Sequence, residues 1–160
     1  MNKLFTQNIL TVDLDVQGEH DKYTVRVSFG GFLDILHDQI EKSPTKVADL
    51  RMITRALITG FSRGDVYIHC TCPDFKYRYA YFSTKNGYNS GAPENVPSDE
   101  TNPHDELGSC CKHALCVLSN TSWLMKVASV INRYIKYMAQ HQPKLYAEVI
   151  EPAVYGDINK

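Results

Sequence analysis

Nowhere in the 160-residue sequence does an apolar run approach the ~20 residues a membrane-spanning helix needs. Met1 to Leu10 carries one lysine and no apolar stretch of signal-peptide length, so export and membrane insertion are not expected. A charge excess is missing too: the formal net charge is −1 and the pI about 6.6, which excludes a surface built throughout for phosphate backbones and makes any nucleic-acid contact local. Gly-x-Gly-x-x-Gly, a Walker loop and Gly-x-Ser-x-Gly do not occur. Between Asn86 and Cys111 there is neither lysine nor arginine. Cysteines number five, and an all-disulfide scheme would leave one unpaired; a reducing, cytoplasmic compartment would keep them free for a metal.

What is present suffices for one folded domain: 43% hydrophobic residues and 11% aromatics supply a core. Leu10, Val12, Leu14 and Val16 alternate with Thr11, Asp13 and Asp15, and Tyr23, Val25, Val27 and Phe29 with Thr24, Arg26 and Ser28. That period of two predicts a hairpin turning over residues 17–21. Phe32, Leu33, Leu36 and Ile40 recur at helical spacing, and Ser43-Pro44 predicts the start of a second helix with a Val47, Leu50, Ile53, Leu57, Phe61 stripe. Asp65 to Cys70 reads as a third strand, Pro73 to Lys85 as a helix, and Ser109 to about Ser119 as another. Leu124, Val127, Ala128, Ile131, Ile135 and Met138 form the clearest amphipathic pattern. The expectation is an α+β domain over residues 1–141, about five helices with a small antiparallel sheet, an acidic irregular loop at 86–109 and a weakly patterned tail at 142–160.

Chemistry concentrates in two short clusters. Cys70-Thr71-Cys72 sits where the third strand ends, so a turn can aim both thiols at one point; Cys111-Lys112-His113 sits at a helix start, where a thiol and an imidazole can join them. Four such ligands suit one tetrahedral structural zinc. Cys110 competes with Cys111, because on an established helix Cys110 and His113 share a face. Cys116, between Leu115 and Val117, reads as core. His69 should point away from the metal along the strand alternation. His104-Asp105-Glu106 supplies a His-x-Glu, but the Pro-Cys-x-x-Cys that follows it in zinc deaminases does not occur.

Cys-x-Cys, a long spacer and Cys-x-His resemble the SWIM-type zinc finger over 65–119, and that resemblance implies Cys70, Cys72, Cys111 and His113 as ligands, favouring Cys111 over Cys110. The 38 residues between Cys72 and Cys111 are more than the module usually has. The stretch from Cys72 to Tyr81 (Cys-Pro-Asp-Phe-Lys-Tyr-Arg-Tyr-Ala-Tyr), with Asn102-Pro103 and Cys111-Lys112-His113, is similar to tailed-bacteriophage proteins with structural or assembly roles.

A fourth protein ligand closes the zinc shell, which speaks against an enzyme and a small-molecule substrate. The first expectation is a zinc-stapled module that contacts other proteins, those of a phage particle, in the host cytoplasm or the virion, with Tyr77, Tyr79, Tyr81 and Tyr88 as amphipathic anchors. The second is a nucleic-acid-binding module using Lys76, Arg78, Lys126, Arg133 and Lys136, although lysine and arginine commonly just solvate an outer helix face.

Overall fold

A computed structural model describes residues 2–97 and 109–151. The fold is α+β. Strands β1 (Ile9–Gln17), β2 (Lys22–Gly30) and β3 (Asp65–Cys70) form one antiparallel sheet in that order. The described residues contain seven α-helices rather than about five: α1 (Asn2–Gln7), α2 (Phe32–Glu41), α3 (Leu50–Arg63), α4 (Ala80–Lys85), α5 (Lys112–Ser119), α6 (Trp123–His141) and α7 (Pro143–Val149). The additional pair, α1 and α7, are 6 and 7 residues long, too short to show an apolar repeat and too short to be stable outside a tertiary setting. No single helix among the described residues is long and apolar enough to cross a membrane.

Contacts divide the described chain into a helical unit, residues 2–10, 29–64 and 122–151, and a sheet unit, residues 11–28, 65–97 and 109–121. In the sheet unit the hairpin turn closes through Gly18 N–H donating to Asp21 O at 2.8 Å, and a Cβ on Gly18 would stand 2.7 Å from the Tyr23 ring, so only glycine fits. The polar face carries a bidentate Arg26–Asp13 pair at 2.7 and 2.8 Å and a Lys22–Asp15 pair at 2.7 Å. The guanidinium beside Asp13 holds its carboxyl below the usual range. Ser28, placed outward by the alternation, is in fact buried, bonded to Thr11 Oγ1 at 3.0 Å and Ser90 Oγ at 2.6 Å.

In the helical unit α2 buries Phe32, Leu33, Leu36 and Ile40, the stripe its sequence predicts. Helix α3 starts later than Ser43-Pro44 suggests. Lys46 takes a positive φ of 51°, and Asp49 caps the helix by accepting from Met52 N–H at 2.9 Å. Val47 therefore lies outside the helix and Leu50 at its exposed start, while Met52, Ile53, Ala56, Leu57 and Gly60 form the buried face. On α6 the expected stripe is buried apart from half-exposed Val127, and Trp123 joins it, its ring 6.2 Å from Phe29 and 6.1 Å from Phe61.

Asn8 ties the start of α2 to the chain before β1. It adopts the left-handed region at φ 53°, its Oδ1 accepts from Leu33 N–H at 2.6 Å, and its Nδ2 donates to Asp34 Oδ2 at 2.8 Å. Asparagine suits both tasks: it tolerates this backbone and offers the acceptor an N-terminal helical N–H lacks. Asn8→Ala should lower unfolding free energy by about 1–2 kcal/mol in urea titration, and Asn8→Gly by less, because glycine keeps the backbone and loses only the side-chain bonds.

Candidate metal centre

The centre is built within the sheet unit from two chain segments. Strand β3 delivers Cys70 on the same buried face as Ile68. Pairing with β2 continues one residue further, with Thr71 N–H donating to Thr24 O at 3.1 Å and Thr24 N–H donating to Thr71 Oγ1 at 3.0 Å. Only then does the chain turn at Cys72 and enter a helical turn at Pro73, a residue suited to the first helical position. The turn breaks the strand alternation, so Cys72 joins Cys70 instead of facing away from it. Cys72 Sγ accepts from Phe75 N–H at 3.2 Å.

From Phe75 to Tyr79 the helix is π-helical, and it narrows to α4 at Ala80. The wider turn buries Phe75 while Lys76, Tyr77 and Arg78 all stay exposed. Such turns interrupt a regular helix at a cost and recur near functional sites. The sequence predicts the helix but carries no readable signal for the π turn.

The second segment enters through α5. Its cap is Cys111 and not Ser109: Cys111 has extended backbone, φ −71° and ψ 166°, and its sulfur accepts from Ala114 N–H at 3.5 Å. Cys111 thus lies just outside the helical phase while His113 lies inside it, which lets neighbours two apart converge. Cys110 is half-buried and outside the group. Cys116 is exposed, contrary to the core reading, because α5 buries His113, Ala114 and Val117 and turns Cys116 off that stripe.

Cys70, Cys72, Cys111 and His113 are all buried, and their ligand atoms lie within 4.8 Å of one another, an arrangement compatible with one metal ion. The donor chemistry fits a cation. All five cysteines are free thiols, and the three here cannot each ionise unaided in a buried site. The Cys70 thiol donating to Cys111 holds Cys111 down to about 5, and the Ala114 N–H reinforces it. The same bond pushes Cys70 up, and burial pushes Cys72 up. One negative charge is thereby accommodated; a bound cation would let the other two thiols release their protons as well. Both ring nitrogens of His113 are buried without a hydrogen-bond partner among the described residues, its ring lying 4.7 Å from that of Tyr23. An orphaned imidazole is costly, and a metal gives one nitrogen its partner.

Around the centre, His69 is not one of the four. Its ring meets Phe75 edge-on at 5.1 Å, burial pushes its pKa down, and a Cβ on Gly91 would overlap the imidazole. Gly91 belongs to a stretch read from the sequence as irregular loop. Its beginning instead runs beside β3: Ile68 N–H donates to Tyr88 O at 2.8 Å and Ser90 N–H to Ile68 O at 3.0 Å. Tyr88 Oη donates to Ser109 O at 2.8 Å, holding the stretch beside β3 to the approach to Cys111. His104, Asp105 and Glu106 lie outside the described residues.

The remaining candidate contacts fall in both units. Arg78 pairs with Asp74 at 3.3 Å and Lys76 lies over the Tyr77 ring at 5.2 Å, both in the sheet unit. Lys126, Arg133 and Lys136 are exposed on α6 in the helical unit.

Cys111→Ser should remove bound metal and leave Cys70 and Cys72 open to a thiol reagent, whereas Cys110→Ser should keep the parent's metal content, as read by elemental analysis with thiol titration. Compared with known protein-family patterns, curated proteins and solved structures, the chain matches none, so the case for the centre stands on its own residues.

Proposed function

We propose that the centre holds one structural zinc ion and that the chain is a non-catalytic binding module, a structural or assembly component of a tailed bacteriophage acting through protein–protein contacts. The observation that carries this reading is the buried donor set of three cysteines and one histidine. Soft thiolates with one imidazole favour zinc over the oxygen-seeking cations, and four protein ligands leave no open position for a reacting water. With zinc–sulfur bonds of about 2.3 Å, the corners of a tetrahedron stand about 3.8 Å apart. Ligand atoms already within 4.8 Å need only a modest contraction to reach it.

The magnitude of binding decides its role. Structural zinc sites contribute on the order of 10 kcal/mol, comparable to the whole stability of an ordinary domain. A site joining β3 to α5 is therefore expected to decide whether the sheet unit folds. Tyr77 and Leu115, 55% and 56% exposed, lie on the two ligand-bearing segments, and large amphipathic or apolar side chains on a rigid support are what protein interfaces use as anchors. The phage setting is supported by the resemblance of 72–81 and 111–113 to tailed-phage proteins. Five free thiols fit a reducing host cytoplasm.

A SWIM-type nucleic-acid-binding module is the second reading. It is favoured by Lys126, Arg133 and Lys136, none of which is in an ion pair among the described residues.

The test joins a zinc measurement to a pull-down from phage-infected cells. The purified chain should carry one zinc, lose cooperative melting of the sheet unit on strong chelation, and recover phage structural proteins. Tyr77→Asp with Leu115→Asp should keep the zinc and lose those proteins. A metal-free chain that melts cooperatively would overturn the zinc reading, and recovery of nucleic acid without phage proteins would favour the second reading.

A further inference from the structure

Away from the metal centre, in the helical unit, α3, α6 and α7 border a cleft of about 890 Å³, within the range of small-ligand sites. Its apolar lining includes Ile135 and Ala139 from α6 and Tyr146 from α7. Its lining also includes Arg51 and Arg55 from successive turns of α3 and Lys136 from α6. None of these three cations is in an ion pair among the described residues. Asp49, the acidic residue of the lining, spends Oδ1 on capping α3, and the N-terminal end of that helix adds partial positive charge on the same side. Asn132 lines the cleft as well, and its side-chain oxygen is buried without a hydrogen-bond partner among the described residues.

These features define a ligand by its chemistry. Two forked guanidiniums and an ammonium call for a multiply charged oxyanion, phosphate in particular. Apolar lining that includes a tyrosine calls for a flat body, and an orphaned amide oxygen calls for an N–H donor on that body. We infer that the cleft binds a nucleotide unit, its phosphate on Arg51, Arg55 and Lys136, its base over Ile135 and Tyr146, and a base N–H donating to Asn132 Oδ1. The unit is either a free nucleoside monophosphate or one residue of a single strand. An acidic peptide would satisfy the cations with carboxylates but brings no flat body for the apolar lining. The inference is independent of the metal and of the protein-contact reading, and it adds Arg51, Arg55 and Asn132 to the basic residues of α6.

The test uses the full purified chain with two probes, adenosine monophosphate in calorimetry and a fluorescent single-stranded oligodeoxynucleotide in anisotropy. Saturable binding of either supports the inference: the first alone identifies a free nucleotide as the source, the second alone a strand. Arg51→Gln with Arg55→Gln should weaken binding about tenfold or more, as loss of charge-assisted bonds demands. Asn132→Leu should weaken it too, while Arg63→Gln, at the far end of α3, should leave it unchanged; circular dichroism and thermal melting check that each variant is folded. Should Asn132→Leu not fold, the paired arginine variant decides. Binding of neither probe, binding unaltered in the paired arginine variant, or displacement by inorganic phosphate or polyglutamate as effective as by adenosine monophosphate would overturn the inference.

Discussion

Three thiols and an imidazole buried within 4.8 Å of one another impose the constraint around which the sheet unit is arranged. In a low-dielectric setting the thiols resist ionisation, and hydrogen bonding between Cys70 and Cys111 resolves this for one charge by lowering Cys111 and raising Cys70. Burial pushes the Cys72 thiol up, and both His113 nitrogens are buried without a hydrogen-bond partner among the described residues. A cation at the centre would pair with each thiolate and with one of the two His113 nitrogens. Without one, the same residues would be an expensive way to build a core, since aliphatic side chains fill such space with no desolvation penalty.

Neighbouring backbone is placed to suit that centre. Cys72 and Cys111 each stand one residue before a helical turn and each accepts an N–H from the residue three further on, Phe75 and Ala114. Helix starts favour thiolates because their first N–H groups are unpaired and their dipoles present a positive end. Cys70 comes from the end of a strand paired with β2. The site thus draws on one strand and two helix starts, and the stretch from Tyr88 to Gly91 covers the adjacent His69 edge, with a glycine where a side chain would collide.

Much of this was legible in the sequence because the relevant signals are local. The alternation of Leu10 to Val16 and Tyr23 to Phe29 marks the hairpin, and the stripe on α6 marks its buried face except that Val127 is half-exposed and Trp123 joins it. Both cysteine clusters announce themselves by spacing, and the structure brings those four residues together. Less legible were features set by tertiary contact. The late start of α3 depends on Lys46 taking a left-handed turn that lysine does not advertise. Ser28 is buried because Ser90, distant in sequence, bonds to it. Exposure of Cys116 follows from Cys111 capping α5, which sets the helical phase, and an apolar flank on either side misleads about that phase. The cleft lay outside the sequence reading altogether, since Arg51 and Arg55 look like ordinary solvated charges until α6 is placed against α3 and α7 against α6.

The central claim is that three thiolates and one imidazole surround a single zinc ion. X-ray absorption at the zinc edge of the purified chain tests it most directly. The account predicts a four-coordinate shell with three sulfurs at about 2.3 Å and one nitrogen at about 2.0 Å. A shell of four sulfurs, placing Cys110 where His113 should be, or one made of oxygen and nitrogen alone, would contradict it.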